Sequence, residues 1–256
     1  MKKAIILLMS TLLLSQVSAQ LPDADQIMNK SRELTIVGSM QATISLSITE
    51  KNGATRNRII AMTTKSFPEG LEKRFIKFIE PADVRGTAML VVDNKTVSDE
   101  IWIYLPALKK TRRISSSENG KSFMSSEFSN SDMGSPTLSD FKSRHIGGSG
   151  SNNTWIIESV PINEEKADQY GYTKKISYIS MDKFQVQKME FYNFDNEHFK
   201  TIDIRDVHPL PEGKYMVSDM IASNLVTNRK SEILFNNIAD KVKVEDSYFT
   251  VQNLER

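Results

Sequence analysis

Three histidines, a run of serines and a knot of cations are the side chains whose types invite a chemical reading. His145, His198 and His208 are scattered, no two at metal-ligand spacing, and the sequence holds no cysteine to join them. His145, in SRHIGG, reads as a solvated loop residue, His198 stands beside Glu197, and His208 precedes Pro209 in a turn. A serine nucleophile needs a base and an orienting acid, and ISSSENGKSFMSSEFSNSD, from Ile114 to Asp132, nominates neither. Its serines fit a polar loop better. Asp93-Asn94-Lys95 and Glu164-Glu165-Lys166 read as turn tips with solvated charge, and no nucleophile elbow, phosphate loop or dinucleotide fingerprint appears. The expectation is a protein without catalysis, metal or cofactor. Turnover of acyl esters that is lost on changing one loop serine would instead indicate a hydrolase.

The cations are Lys109, Lys110, Arg112 and Arg113, directly after the strand-like EIWIYLP. Regular alternation sends Lys109 and Arg113 to one face and Lys110 and Arg112 to the other. They form either the wet end of a long hairpin or a contact for acidic lipid headgroups or an acidic partner.

The serine-rich stretch is not purely polar, because Phe123, Met124, Phe128 and Met133 interrupt it. Something has to cover them. If Lys121 to Phe128 forms a short helix, Met124 and Phe128 share one side, and the segment becomes a flap over a neighbouring surface. Methionine and phenylalanine adapt to ligands of varied shape, acyl chains among them.

The elements able to position such a flap are mostly strands. Pro22 to Leu34 reads as a helix with one apolar side. QATISLSITE alternates apolar and polar residues, Asn52-Gly53 marks a hairpin turn, and TRNRIIAMTTK returns. LEKRFIKFIE, RGTAMLVV, EIWIYLP and KKTRRIS follow, and TWIIESVP, KKISYISM, QVQKMEFYNF, TIDIRDV, KYMVSDMIAS and KSEILFNNI complete the series. Short connections between them predict one antiparallel sheet, strongly curved, with no second domain. Two strands are apolar on both faces: Phe75 and Ile79 oppose Ile76 and Phe78, and Trp102 and Tyr104 oppose Ile101, Ile103 and Leu105. Either a sandwich or a container for something apolar satisfies that pattern.

MKKAIILLMSTLLLSQVSAQ has the form of a secretory signal peptide, cleaved after Ala19. Its apolar run is shorter than the roughly 20 residues of a spanning helix, and no later stretch reaches that length. Without Lys2 and Lys3 the 33 basic side chains fall to 31 against 32 acidic ones, so a globally basic nucleic-acid binder is disfavoured. With no cysteine, the exported chain carries neither a disulfide nor a lipidated N-terminal cysteine. The expectation is a periplasmic protein, residues 20–256 forming a single domain that does not span the membrane.

FIEPADVRGTAMLVV and the following DEIWIYLPALKKTRRISSSENGKSFMSSEFSNSDM resemble the LolA-like outer-membrane lipoprotein-sorting family, in its longer branch often encoded beside exporters of the resistance-nodulation-division (RND/MMPL) type. The shared positions are Phe78, Pro81, Arg85-Gly86-Thr87, Ile101-Trp102-Ile103-Tyr104-Leu105-Pro106, Arg112-Arg113, Phe123, Ser126, Phe128 and Asp132. Ser125 stands where that branch often has glycine.

The resemblance implies a mainly β fold, an unclosed antiparallel β-barrel with a helical lid over an apolar cavity, carrying lipid or the acyl chains of lipoproteins through the periplasm without catalysis. A chain of about sixteen carbons gains roughly 12 kcal/mol on leaving water, enough for carriage without a covalent bond. Phe75, Phe78, Trp102 and Tyr104 are expected to line or back the cavity, and Phe123, Met124, Phe128 and Met133 to close it. The implied partners are a lipid or lipidated protein and an inner-membrane exporter. A lipid-sensing adaptor on the same fold is the alternative, marked by one membrane partner that lets go when lipid binds. A membrane-embedded outer-membrane barrel is disfavoured by the polar alternate faces.

Overall fold

The computed structural model describes residues 22–94, 99–135, 137–149 and 153–256, so the signal-peptide segment and Lys95 lie outside the described residues. Six strands make the first half: β1 (Met40–Thr49), β2 (Thr55–Ser66), β3 (Glu72–Glu80), β4 (Ala88–Asp93), β5 (Glu100–Leu105) and β6 (Lys110–Ile114). The second half holds β7 (Phe141–Ser149), β8 (Thr154–Pro161), β9 (Lys174–Ser180), β10 (Val186–Tyr192), β11 (His198–Pro209), β12 (Tyr215–Asn224) and β13 (Arg229–Asp240). All join one 13-stranded sheet in the order β6-β5-β4-β3-β2-β1-β13-β12-β11-β10-β9-β8-β7. Every neighbouring pair is antiparallel, and β1 against β13 is the one pairing not made by chain neighbours. The sheet is unclosed, with β6 and β7 as its free edges. No helix among the described residues is long and apolar enough to cross a membrane.

Alternation sets the two faces. In β1, Ala42, Ile44, Leu46 and Ile48 are buried and their neighbours are half-exposed. Partners across the ladder share that side, so Ile44 meets Ile60 and Ile60 meets Phe78 on the concave face. The helix α1 (Ala24–Leu34) covers one end of this face, with Ile27 buried against Trp155, Ile157 and Ile179.

The strands that are apolar on both faces have two different covers. Ile76, Phe78, Ile101 and Ile103 join the concave core, whereas Phe75, Trp102 and Tyr104 pack outside against Phe249 and Leu254 of the C-terminal segment. Lys65 donates to the Val244 carbonyl at 2.6 Å and Lys77 to the Arg256 carbonyl at 2.8 Å, tying that segment down. The outer apolar face is thus buried by the chain's own end.

Several local expectations change. SRHIGG is not a loop but part of β7, where Arg144 faces Glu158 and His145 Nε2 donates to the Pro22 carbonyl, 2.7 Å away. As an edge strand with glycines it shows little apolar periodicity. Glu164-Glu165-Lys166 open the helix α2 (Glu164–Tyr170), capped by the Asn163 side chain accepting from the Lys166 N–H. His208 and Pro209 end β11 instead of forming a turn. Asn52-Gly53 sits within the longer connection 50–54, where the Asn52 side chain accepts from the Ala54 N–H.

Residues 115–140 link edge strand β6 to edge strand β7 and therefore cross the whole concave face. We call this segment the lid. Lys121 to Phe128 is not an α-helix but a tight hairpin: Ser122 bridges Ser129, and the Phe123 N–H donates to the Phe128 carbonyl at 2.7 Å. Its serines compete for the backbone that a helix would use, Ser126 Oγ donating to the Phe123 carbonyl at 2.7 Å. At the turn Met124 and Ser125 have φ of 49° and 64°. That left-handed conformation explains why glycine suits position 125, since a Cβ there costs roughly 1 kcal/mol. Ser125→Gly should accordingly stabilise the protein, raising its melting temperature by about 2–4 °C; an unchanged or lower melting temperature would mean the turn is not strained.

Candidate functional site

The site is the concave face together with the lid lying on it. Phe123 and Phe128 are 1% and 0% exposed, inside the same core as Phe78, whose ring centre is 5.9 Å from that of Phe123. Met124 and Met133 are partly buried at its margin. The structure therefore brings Phe78, Phe123, Met124, Phe128 and Met133 together and puts Phe75, Trp102 and Tyr104 on the opposite side of the sheet. The cause is the two-residue period: 75 and 78 differ by an odd number, as do 101 and 102.

A segment without regular structure that is buried this way must still satisfy its carbonyls and charges. Cations projecting from the concave face do so. Arg58 donates to the Met124 carbonyl. Arg229 donates to the Ser125 carbonyl at 2.9 Å and forms an ion pair with Glu127 at 2.8 Å, and Asn224 donates to the same carboxylate at 2.8 Å. Lys200 lies 3.1 Å from Asp132, and Arg74 donates to the Met133 carbonyl at 2.7 Å. At the start of the lid Arg112 holds Glu118 in a two-pronged pair of 2.8 and 3.2 Å. The hydrogen bonds from Arg112 and from the Ser115 backbone bring the Glu118 carboxyl down to about 2.

Of the basic run, then, Arg112 is a lid anchor and Arg113 pairs with Glu100 at 3.2 Å. Lys109 is a left-handed turn residue, and it and Lys110 are exposed at the tip of the β5–β6 hairpin. The run does not form one patch.

Backbone contact also seats the lid. A Cβ on Gly120 would lie 2.7 Å from the Gly171 nitrogen at the C-terminus of α2, so only glycine permits that approach. Tyr170 of α2 donates to Asp140 at 2.8 Å near the far end of the lid.

Two cavities flank the lid's second half. The larger, about 390 Å³, lies beneath α1 and has a largely polar border, where Arg32, Glu72, Arg74 and Asp93 stand beside Met28, Leu138 and Phe141. The smaller, about 120 Å³, is bordered by Asp132, Gly134, Lys175, Phe191 and Met220. No group of acidic, histidine or cysteine side chains among the described residues is arranged to hold a metal.

Arg74, which reaches the lid from β3, and Arg32 of α1 sit in a buried charge cluster. Arg74 contacts Glu72 at 2.6 Å and Asp93 at 3.2 Å, and Arg32 contacts Asp93 at 3.0 Å. Asp93 is thus a buried strand residue and not a solvated turn tip. Burial, then the Asp93 charge, pushes the Asp99 carboxyl up to about 7. An aspartate raised in the folded state keeps its proton at acid pH, and stability falls as pH rises from about 4 toward 7, by at most ~1.4 kcal/mol per unit. Asp99→Asn, which preserves the acceptor for the Asn94 N–H, should match the parent near pH 4 and melt higher at pH 8. A constant difference at both values would contradict a protonated Asp99.

Sequence reading missed Arg58, Arg74, Lys175, Lys200 and Arg229. The signal was present, because Arg58 shares parity with Ile60 and Met62, Arg74 with Ile76 and Phe78, and Lys200 with Ile202.

Comparison with known proteins agrees with this architecture. A family model described as "-like: Uncharacterized protein" matches residues 70–256, well over half of the chain. No curated protein matches the sequence. Among solved structures, a domain from Vibrio parahaemolyticus assigned to outer-membrane lipoprotein sorting superposes with a TM-score of 0.83 at 23% identity, covering 91% of this chain and 98% of that one. A DUF1329 family protein from Desulfovibrio piger gives 0.81 at 23% identity, with 90% and 97% covered. A LolA superfamily protein from Nitrosomonas europaea gives 0.68 at 17% identity, with 89% and 97% covered. The chain belongs to the family that this model describes, and its fold is that of the LolA-like outer-membrane lipoprotein-sorting proteins.

Proposed function

We propose that the protein is a periplasmic carrier that takes up the acyl chains of a lipid or lipidated protein on the concave face of its sheet, in the space the lid now fills. One observation carries this reading: an irregular segment places Phe123 and Phe128 fully inside the core, yet is fixed largely by polar contacts that water can replace. Withdrawal of the lid would expose the apolar concave surface on which Phe123 and Phe128 now pack.

The topology supports one direction of loading. The β1–β2, β5–β6, β10–β11 and β12–β13 connections leave the sheet on one side, and the lid's hairpin reaches the same side through Arg229 and Arg58. Their tips carry exposed Leu108 (67%), Phe194 (58%) and Val226 (66%), with Lys109 and Lys110 beside Leu108. Apolar tips next to cations suit contact with an anionic bilayer or with an exporter that hands over lipid. We assign that rim to donor and acceptor membranes.

Native mass spectrometry with lipid extraction, on protein purified from its own periplasm, tests the carrier reading. A stoichiometric lipid supports it; no lipid, together with no uptake of a fluorescent fatty acid, contradicts it. A variant tests the lid. Phe128→Ala should cost about 3–5 kcal/mol of stability, and because the closed lid competes with ligand, the fluorescent fatty acid should bind several-fold tighter. Weaker binding would show that Phe128 holds the ligand rather than the ligand's place.

A further inference from the structure

The cations that fix the lid have a buried neighbour with a different environment. Lys175 is 6% exposed on the concave face, and among the described residues its ammonium makes no ion pair and no hydrogen bond. Its Nζ lies 5.5 Å from the centre of the Phe141 ring. Strand register explains its position. Lys175 on β9 lies opposite Phe191 on β10, and Phe191 lies opposite Lys200 on β11. Two lysines therefore flank one aromatic ring on the same face, with the Lys200 nitrogen 4.3 Å from the ring centre.

The smaller cavity lies between this row and the lid. Its wall combines Lys175, Tyr172 and Asp132 with the apolar Phe191, Ile202 and Met220. Among the described residues the Tyr172 hydroxyl makes no hydrogen bond. At 120 Å³ the cavity has room for about four water volumes, enough for a carboxylate or phosphate group. The local charge is unbalanced, because two lysines share one carboxylate: Lys200 holds Asp132 at 3.1 Å, and Asp132 acts on Lys175 only through space, without an ion pair. A buried cation with no counterion is costly unless a ligand supplies one. Burial lowers Lys175 to about 8, so it remains mostly charged at neutral pH.

We propose that this cavity is a subsite for the anionic group, carboxylate or phosphate, of an acyl amphiphile, with Lys175 as its counterion and Phe191, Ile202 and Met220 receiving the start of the chain. In the closed form, Asp132 of the lid gives Lys200 the partner that the ligand's anion replaces when the lid withdraws. The inference rests on the carrier reading and narrows it to anionic cargo.

Calorimetric titration with laurate, with dodecanol as its uncharged counterpart and with inorganic phosphate separates the possibilities. Wild-type protein should bind laurate at least about tenfold more tightly than dodecanol at pH 7. Lys175→Met should lose that preference while keeping its affinity for dodecanol, and Lys175→Arg should retain it. The preference should also shrink as pH rises through about 8, where Lys175 loses its proton. The groups facing it are Asp132 on the lid, Lys200 on β11, Tyr170 at the end of α2 and Tyr172 before β9. Burial raises both tyrosines, so they stay neutral over that range. Phosphate that competes with laurate supports the subsite. Equal affinity for laurate and dodecanol, or a preference that survives in Lys175→Met, overturns the subsite and leaves the carrier reading standing. Binding of neither amphiphile overturns both, and phosphate bound alone reduces the cavity to an ion site and overturns the proposal.

Discussion

The structure depends on how an irregular chain segment is kept inside a sheet. A segment of twenty-odd residues built from 3₁₀ turns and one short hairpin pairs its backbone only in part, so the concave face must supply donors for the remaining carbonyls and carboxylates. It does so with long cationic side chains planted at inward positions: Arg58, Arg74, Lys200 and Arg229 meet carbonyls or carboxylates of the lid. Charge-assisted hydrogen bonds in a partly dry site are strong while both partners are present. They are also replaceable, because water or an anionic headgroup satisfies an arginine as well as a carbonyl does. A lid held by Leu-on-Leu packing alone would lack that second set of partners.

Closure is therefore a contest between two occupants of one surface. The lid contributes two fully buried phenylalanines and a set of polar anchors, but carries a turn with two successive left-handed residues, Met124 and Ser125. An acyl chain contributes on the order of 0.8 kcal/mol for each methylene it buries. A long chain can outweigh the lid, whereas a short one cannot. The outer face takes no part in this contest, since Phe75, Trp102 and Tyr104 are sealed by the C-terminal Phe249 and Leu254.

Much of the sheet was legible because period-2 alternation is a local signal. QATISLSITE or TIDIRDV announces a half-buried strand without its partners. β7 was not legible, because an edge strand with paired glycines buries little, and its buried residue, Phe141, is covered by Tyr170 and Tyr172, about thirty residues away in sequence. The lid's phenylalanines were recognisable as residues that needed cover, but their direction depended on a hairpin closed by serine hydroxyls, where spacing alone suggested a helix. Phe75, Trp102 and Tyr104 read as cavity residues because nothing local shows that the last dozen residues fold back over them. The inward cations were readable by parity alone, yet a charge in a strand is ordinarily read as solvated.

That the lid occupies the place of the ligand is the central claim, and locking the lid tests it most directly. The Glu127 N–H donates to Ser231 Oγ at 2.9 Å, and the chain has no native cysteine, so Glu127→Cys with Ser231→Cys offers one cross-link between lid and sheet. Lipid binding is measured on the oxidised and the reduced double variant. The account predicts that the oxidised form binds no fatty acid and that reduction restores binding. Equal binding in both forms would mean that the lid stays in place while lipid binds elsewhere, and would contradict it.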